Sequence, residues 1–175
     1  MKNLYKKIIQ TLTSPEAKQK FINADVKPVK WVDEFEGQYY QPEMFEGFTT
    51  PAVLVEWDIQ YPKAKSTADV SLTLHIMYEQ TTHADSLNKD IDKALKRFDF
   101  KDVVLELING LESENTGKLE LISESGLKEP AIVKVHLLTF ECSYKNKQKQ
   151  YGEFTPDEIE ISGTIKIFDN LSELD

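Results

Sequence analysis

The chain contains few of the residues that most directly indicate chemistry. Its 175 residues include one cysteine, Cys142, and seven glycines. A single cysteine excludes an internal disulfide and a cysteine-based zinc site, and its place in a strand-like run predicts a buried structural thiol. None of the glycines forms a phosphate-binding loop, a dinucleotide-binding fingerprint or a Gly-x-Ser-x-Gly nucleophile motif. We therefore predict that the protein is not an enzyme and has no catalytic residues, cofactor or metal.

Basic charge and long apolar runs are also scarce. The 21 lysines and arginines are outnumbered by 30 aspartates and glutamates, which gives a net charge of −9. Because binding through phosphate contacts needs a basic surface, we do not expect sequence-specific nucleic-acid binding. The opening residues MKNLYKKIIQTL are too short and too polar for a signal peptide or a membrane span. These absences favour an intracellular protein that does not bind membranes.

The length predicts a single domain covering residues 1–175. Apolar residues at helical spacing predict an N-terminal helix, and Ser14 followed by Pro15 predicts the start of a short helix that ends near Ile22. Within the domain we distinguish an N-terminal helix (2–13), an aromatic arm (26–50), an α+β core (51–168) and an acidic tail (169–175).

The core begins with two strand-like runs, 52–61 and 70–78, whose apolar and polar residues alternate. They predict an antiparallel hairpin with one apolar face. Helical spacing follows, and we expect a helix that opens near Asp85, breaks or kinks at 99–101 and stops at Gly110.

Three further strands are predicted, over 118–123, 131–144 and 159–167. In the middle one the apolar positions change parity, which predicts either a bulge or burial on both faces. The basic cluster at 145–149 is expected to be a solvated hairpin loop. The fold class that results is α+β, a mostly antiparallel sheet of about five strands with helices packed on one side.

The aromatic arm is the most distinctive segment, because it has no helix or strand period. Connections of this length are uncommon in compact domains, and aromatic rings need a surface that buries them. Two interpretations stay open: the arm contacts a neighbouring subunit, or it folds back and covers its own sheet. The chain has nine phenylalanines, seven tyrosines and two tryptophans, and the candidate interface residues among them are Trp31, Phe35, Tyr39, Tyr40, Phe45 and Phe48.

A metal or acid–base site has only weak support. Glu56 and Asp58 share one face of a strand, and we expect that Glu79 can approach them across the hairpin. Such carboxylates can bind magnesium or transfer protons, but carboxylates on a solvent-facing sheet are common. The histidines, expected to be solvated or hydrogen-bonded and not spaced for metal ligation, are His75, His83 and His136.

Three stretches of the chain resemble a family of phage and prophage tail-completion proteins of the Bacteroidetes type, which are tail terminator or minor tail proteins. The first is the arm leading into PAVLVE at 51–56, and the second is LTLHIM at 72–77 followed by Tyr78 and Glu79. The third is the helix ending in ALKRFD at 94–99 and continuing through 102–111. Together they cover about residues 31–111.

The resemblance implies a small α+β protein that lacks catalytic residues and acts by assembly. It implies a homo-oligomeric ring at the tail end or neck, in contact with neighbouring tail or neck proteins. It also implies residence in the host cytoplasm during assembly and afterwards in the virion tail. The alternative function is a small-molecule or peptide-binding module that uses the hairpin face and the aromatic arm as a groove.

Overall fold

The computed structural model describes residues 1–62, 67–79, 84–128 and 133–145. Several predictions fall outside these residues: the strand at 159–167, the acidic tail at 169–175, His83 and most of the basic cluster at 145–149.

Two short helices open the chain, α1 (Lys2–Thr13) and α2 (Pro15–Asn23). The buried residues of α1 are spaced four apart and form its inner stripe. The Ser14 side chain accepts a hydrogen bond from the backbone N–H of Ala17 at 3.0 Å, and Pro15 occupies the first turn, where no backbone N–H is needed. Both helices and the cap between them are confirmed.

Within the described residues, five strands form one sheet: β1 (Trp31–Glu34), β2 (Ala52–Gln60), β3 (Ala68–Met77), β4 (Glu120–Gly126) and β5 (Val135–Tyr144). Their order is β1-β2-β3-β5-β4, and every pairing except the parallel pair β1–β2 is antiparallel. With the helices packed on one face, the predicted α+β class is confirmed.

The prediction that the aromatic arm lacks regular structure is wrong. β1 lies inside the arm and pairs with β2 from Trp31 opposite Ala52 to Glu34 opposite Val55. A 3₁₀ turn, Pro42–Met44, follows. A strand of four residues is too short to show a period, and its backbone hydrogen bonds depend on a distant segment.

The third helix, α3 (Ile91–Ile108), is continuous, so the predicted break at 99–101 is wrong. Phe100 is fully buried and stacks on Phe21 with ring centroids 5.1 Å apart, which holds this turn against the core. The helix also begins later than expected, at Ile91. Leu87, which precedes it, is 89% exposed and therefore has no packing that would extend the helix to it. Gly110 follows the helix with φ of +81°, which confirms its predicted role as the stop.

The core consists of two clusters on opposite faces of the sheet. The larger one joins the three helices to residues such as Val53, Leu74 and Phe140. The smaller one lies under the aromatic arm, and its buried members are Tyr39, Ala52, Leu54, Met77 and Val135.

The two clusters explain the parity change in β5. Leu138 and Phe140 belong to the helix-side cluster, whereas Val135 and Leu137 belong to the arm-side cluster. The pairing of β5 with β3 runs without a shift along the whole of β5, so burial on both faces is confirmed there and a bulge is not needed. The irregularity of the sheet lies in β4, between Leu121 and Ser123.

Candidate functional site

The aromatic arm packs on the sheet face opposite the helices. Tyr39 is only 2% exposed, and Trp31, Phe35 and Phe48 are partly buried against the same arm-side cluster. The arm therefore covers part of its own sheet, as the second interpretation proposed.

Two of the six candidate interface residues do not belong to that packing. Tyr40 is 40% exposed and tilts against Tyr39 with ring centroids 4.5 Å apart, and Phe45 is half-buried. Met44, which lies between them, is 70% exposed. The outward surface of the arm thus presents Tyr40 and Met44, and a contact between this surface and another subunit stays a prediction.

A chain of three polar side chains joins the arm to the sheet. His75 lies on β3, and its Nδ1 is 2.9 Å from the Tyr39 hydroxyl of the arm. Its Nε2 is 3.0 Å from Oε2 of Glu56 on β2. Phe35 stacks on the imidazole with ring centroids 4.1 Å apart and planes at 15°. The prediction that His75 is hydrogen-bonded is confirmed.

Burial determines the protonation state of the His75 imidazole. His75 is 4% exposed, and burial lowers the pKa of its imidazole, although the Glu56 carboxylate opposes that shift. A neutral imidazole has one N–H, and an ionised carboxylate only accepts, so Nε2 donates to Glu56 while Nδ1 accepts from the Tyr39 hydroxyl.

An acid, an imidazole and a hydroxyl in sequence also occur in nucleophilic catalysis. Here the hydroxyl belongs to Tyr39, which is buried in the arm-side cluster, so a substrate cannot reach it without moving the arm. The arrangement serves to hold the arm on the sheet.

The three carboxylates singled out in the sequence do not meet. Glu56 pairs in register with Thr73, and Glu79 lies further along the chain by roughly 20 Å of extended backbone. Glu79 instead lies 3.2 Å from the Lys27 ammonium and accepts a hydrogen bond from the Thr50 hydroxyl at 3.1 Å. The expected approach of Glu79 to Glu56 and Asp58 is wrong. Within the described ranges, no group of three or more histidine, cysteine or acidic side chains is placed to hold a metal.

Cys142 lies on β5 at the margin of the helix-side cluster, where it is half-buried. Burial raises the pKa of its thiol above the ordinary value, which disfavours the reactive thiolate. The raised pKa agrees with an unreactive thiol, but the side chain is less buried than predicted.

A cavity of about 550 Å³ opens between α3 and the ends of β3, β4 and β5. The Arg97 guanidinium lies 4.3 Å from the centroid of the Phe98 ring on one wall, and the His136 ring meets Phe98 edge-on with centroids 6.2 Å apart. Sequence reasoning missed this site, because its residues come from α3 and from both strands of the β4–β5 hairpin. The described lining comprises Ile76, Tyr78, Arg97, Phe98, Gly126, Leu127, Lys128, Val133, Lys134, Val135 and His136.

A second depression of similar volume lies on the arm side of the sheet, at the end that the arm does not cover. Its lining is acidic, with Asp58, Asp69, Glu120 and Glu141 among its residues and Lys118 as the one described cation. These polar residues lie on the sheet face opposite the apolar face that the strand alternation predicts.

The described strands leave β1 and β4 at the two edges of the sheet. Every residue of β4 except Leu121 is exposed, and Ile122 is exposed to 51%. The backbone N–H of Leu127 donates to the carbonyl of Val135 at 3.0 Å. Because inward and outward groups alternate in an antiparallel ladder, the backbone groups of Glu124 and Gly126 point away from β5.

None of the helices in the described part of the chain is long and apolar enough to cross a membrane. No protein-family model matches the chain, and no curated protein matches it. The function is therefore inferred from the geometry of the chain itself.

Proposed function

We propose that the protein is a structural component of a phage or prophage tail, which acts by oligomeric assembly at the tail end or neck. The observation that carries the proposal is the exposed edge strand β4, with its outward backbone groups at Glu124 and Gly126. An edge of this kind can accept a strand from a neighbouring chain. The resemblance in residues 31–111 supports the same function.

A ring needs two unlike surfaces on each subunit, because its contacts are head-to-tail. The chain offers two such surfaces. One is the β4 edge, and the other is the outward side of the aromatic arm, with Tyr40 and Met44 exposed. The arm contains β1, which lies at the opposite edge of the described sheet from β4. Aromatic residues and methionine are enriched in protein interfaces, which favours the arm surface as the second contact.

The proposal is tested by native mass spectrometry and light scattering over a range of protein concentrations. We expect the wild-type chain to form a closed oligomer, or to assemble cooperatively as concentration rises. Ile122→Lys adds a charge to the β4 edge and Met44→Lys adds one to the arm surface, and each should shift the chain towards monomer. Leu87→Lys, at an exposed apolar residue on neither surface, is the matched control and should assemble as the wild type does.

A second experiment tests the tail itself. A tagged chain expressed with the genes of its source element should sediment with tail particles and lie at one end of the tube in electron micrographs. A chain that is monomeric at every concentration and absent from purified tails contradicts the proposal.

The alternative function is a small-molecule or peptide-binding module, and its binding site cannot be the predicted groove between the arm and the hairpin face. The arm rings fill the space over Leu54 and Met77, so a ligand in the groove between the arm and the hairpin face would have to displace them. The cavity beside α3 is the observation that favours a binding function.

A further inference from the structure

We propose that the cavity between α3 and the β4–β5 hairpin binds a small organic anion with an aromatic or apolar body. This inference goes beyond tail assembly and concerns ligand binding; the cavity shares Gly126 with the β4 edge, whereas the aromatic arm contributes no residue to its described lining.

The charge of the cavity is opposite to the charge of the chain. The protein carries a net charge of −9, yet the described lining contains three permanent cations and a histidine, and it contains no aspartate or glutamate. Arg97 comes from α3, whereas Lys128, Lys134 and His136 come from the hairpin. Cations supplied by two elements and facing one concave space attract an anion from several sides.

The size and the walls of the cavity fit an organic ligand better than a bare ion. Its volume of about 550 Å³ lies within the usual range for small-molecule sites. Tyr78 and Phe98 supply rings, and Leu127, Val133 and Val135 supply apolar surface. The wall thus combines polar and apolar surface in about equal measure, which suits an amphipathic ligand.

Arg97 is held in place before any ligand arrives. Its guanidinium lies against the Phe98 ring at 4.3 Å, and one of its nitrogens donates to the Ala94 carbonyl at 2.9 Å. A planar guanidinium suits carboxylates, phosphates and sulfonates, and its fixed position reduces the entropy that binding costs.

Among the acidic residues that the structure describes, Glu124 lies beside the cavity and is engaged by a cation. Oε1 of Glu124 lies 3.1 Å from the Lys101 ammonium and 3.0 Å from Nε2 of His136. The His136 nitrogen is buried and makes no hydrogen bond of acceptable geometry. Lys101 also pairs with Asp102, so it offsets Glu124 only in part, and the positive field of the cavity comes from Arg97, Lys128 and Lys134.

The test is a titration of ¹⁵N-labelled full-length protein, followed by NMR, with benzenesulfonate and phenyl phosphate. Benzyl alcohol serves as the neutral probe of similar shape, and inorganic phosphate as the anion without a ring. We expect both aromatic anions to shift the signals of Phe98, Leu127 and His136. Benzyl alcohol and inorganic phosphate should bind at least about tenfold more weakly, because benzyl alcohol lacks the negative charge and inorganic phosphate lacks the ring.

Variants separate the cavity from general charge effects. Lys128 and Lys134 are exposed, so the double variant Lys128→Gln/Lys134→Gln should fold and should weaken binding of benzenesulfonate by about tenfold. Lys7→Gln on the exposed side of α1 is the matched control and should leave binding unchanged.

Three results would overturn the inference: equal binding of benzyl alcohol, equal binding of inorganic phosphate, or unchanged affinity in the double variant. The oligomeric state of that variant is measured in parallel, because Lys128 lies two residues beyond the β4 edge. Weakened binding with unchanged assembly assigns the effect to the cavity, and failure of either proposal is then seen separately.

Discussion

The Tyr39 hydroxyl and the His75 Nδ1 lie 2.9 Å apart, and this hydrogen bond joins the aromatic arm to the central strand of the sheet. Both residues are buried, so water cannot replace either partner. Glu56 orients the imidazole from its other nitrogen at 3.0 Å. The position of the arm is thus determined by a specific polar contact as well as by apolar packing.

Tyr39→Phe tests that contact. The substitution keeps the ring in the arm-side cluster but leaves the His75 Nδ1 buried without its partner, which should lower the free energy of unfolding by about 1–3 kcal/mol. Tyr61→Phe removes a hydroxyl from an exposed ring and should change it by less than about 0.5 kcal/mol. Urea denaturation measures both values. Equal effects from the two variants would show that the hydroxyl of Tyr39 does not stabilise the arm.

Phe100→Ala tests the continuity of α3. Phe100 is fully buried and contacts Phe21 and Tyr78, each with ring centroids 5.1 Å apart. Removing the ring leaves a cavity between α2, α3 and the sheet, and we expect a loss of about 3–5 kcal/mol in the free energy of unfolding. Leu87→Ala, at an exposed site before the helix, is the control and should have little effect. If Phe100 instead lay at an exposed helix break, the two variants would behave alike.

The elements that sequence analysis predicted correctly are those whose pattern is local. The apolar stripe of α1 and the alternation in β2 and β3 each extend over nine or more residues. The start of α2 is determined by a specific capping group, the side chain of Ser14. The errors arise where a distant segment of the chain determines the local secondary structure. β1 exists because β2 accepts it as a parallel neighbour, and α3 continues through Phe100 because Phe21 buries that ring.

The candidate site divides in the same way. Composition alone indicates that the aromatic arm is important, and the sequence predicts that His75 is solvated or hydrogen-bonded. The sequence does not show that Leu54, Met77 and Val135 meet beneath the arm, because these residues are brought together only by the strand order. The sequence does not show the cavity beside α3 for the same reason, since Arg97 and Lys134 are far apart along the chain.

Gly110→Ala tests the end of α3. Gly110 has φ of +81°, and a methyl group added there would meet no atom within 4 Å, so only backbone strain opposes the substitution. We expect the free energy of unfolding to fall by about 1 kcal/mol. Gly126→Ala is the matched control, because that site also has open space and does not have a positive φ. Thermal unfolding of both variants measures the difference, and equal melting temperatures would contradict the assigned helix end.

The two described histidines should make stability depend on pH. Burial lowers the pKa of both His75 and His136 below the ordinary value of 6.5. Glu56 beside His75 and Glu124 beside His136 oppose the shift, whereas Lys101 and Arg97 add to it at His136. The unfolded chain therefore takes up protons at higher pH than the folded chain does.

The direction of the effect follows from that difference. The free energy of unfolding should be highest above about pH 6.5 and should fall as the pH drops from there through the lower pKa values of the folded protein. Urea denaturation at a series of pH values measures this decline, and His75→Gln should make it shallower because one of the two contributing groups is gone. NMR titration of the imidazole signals gives the pKa values directly. A value above 6.5 for His75 would contradict the prediction, since it would mean that the Glu56 carboxylate outweighs the burial of the ring.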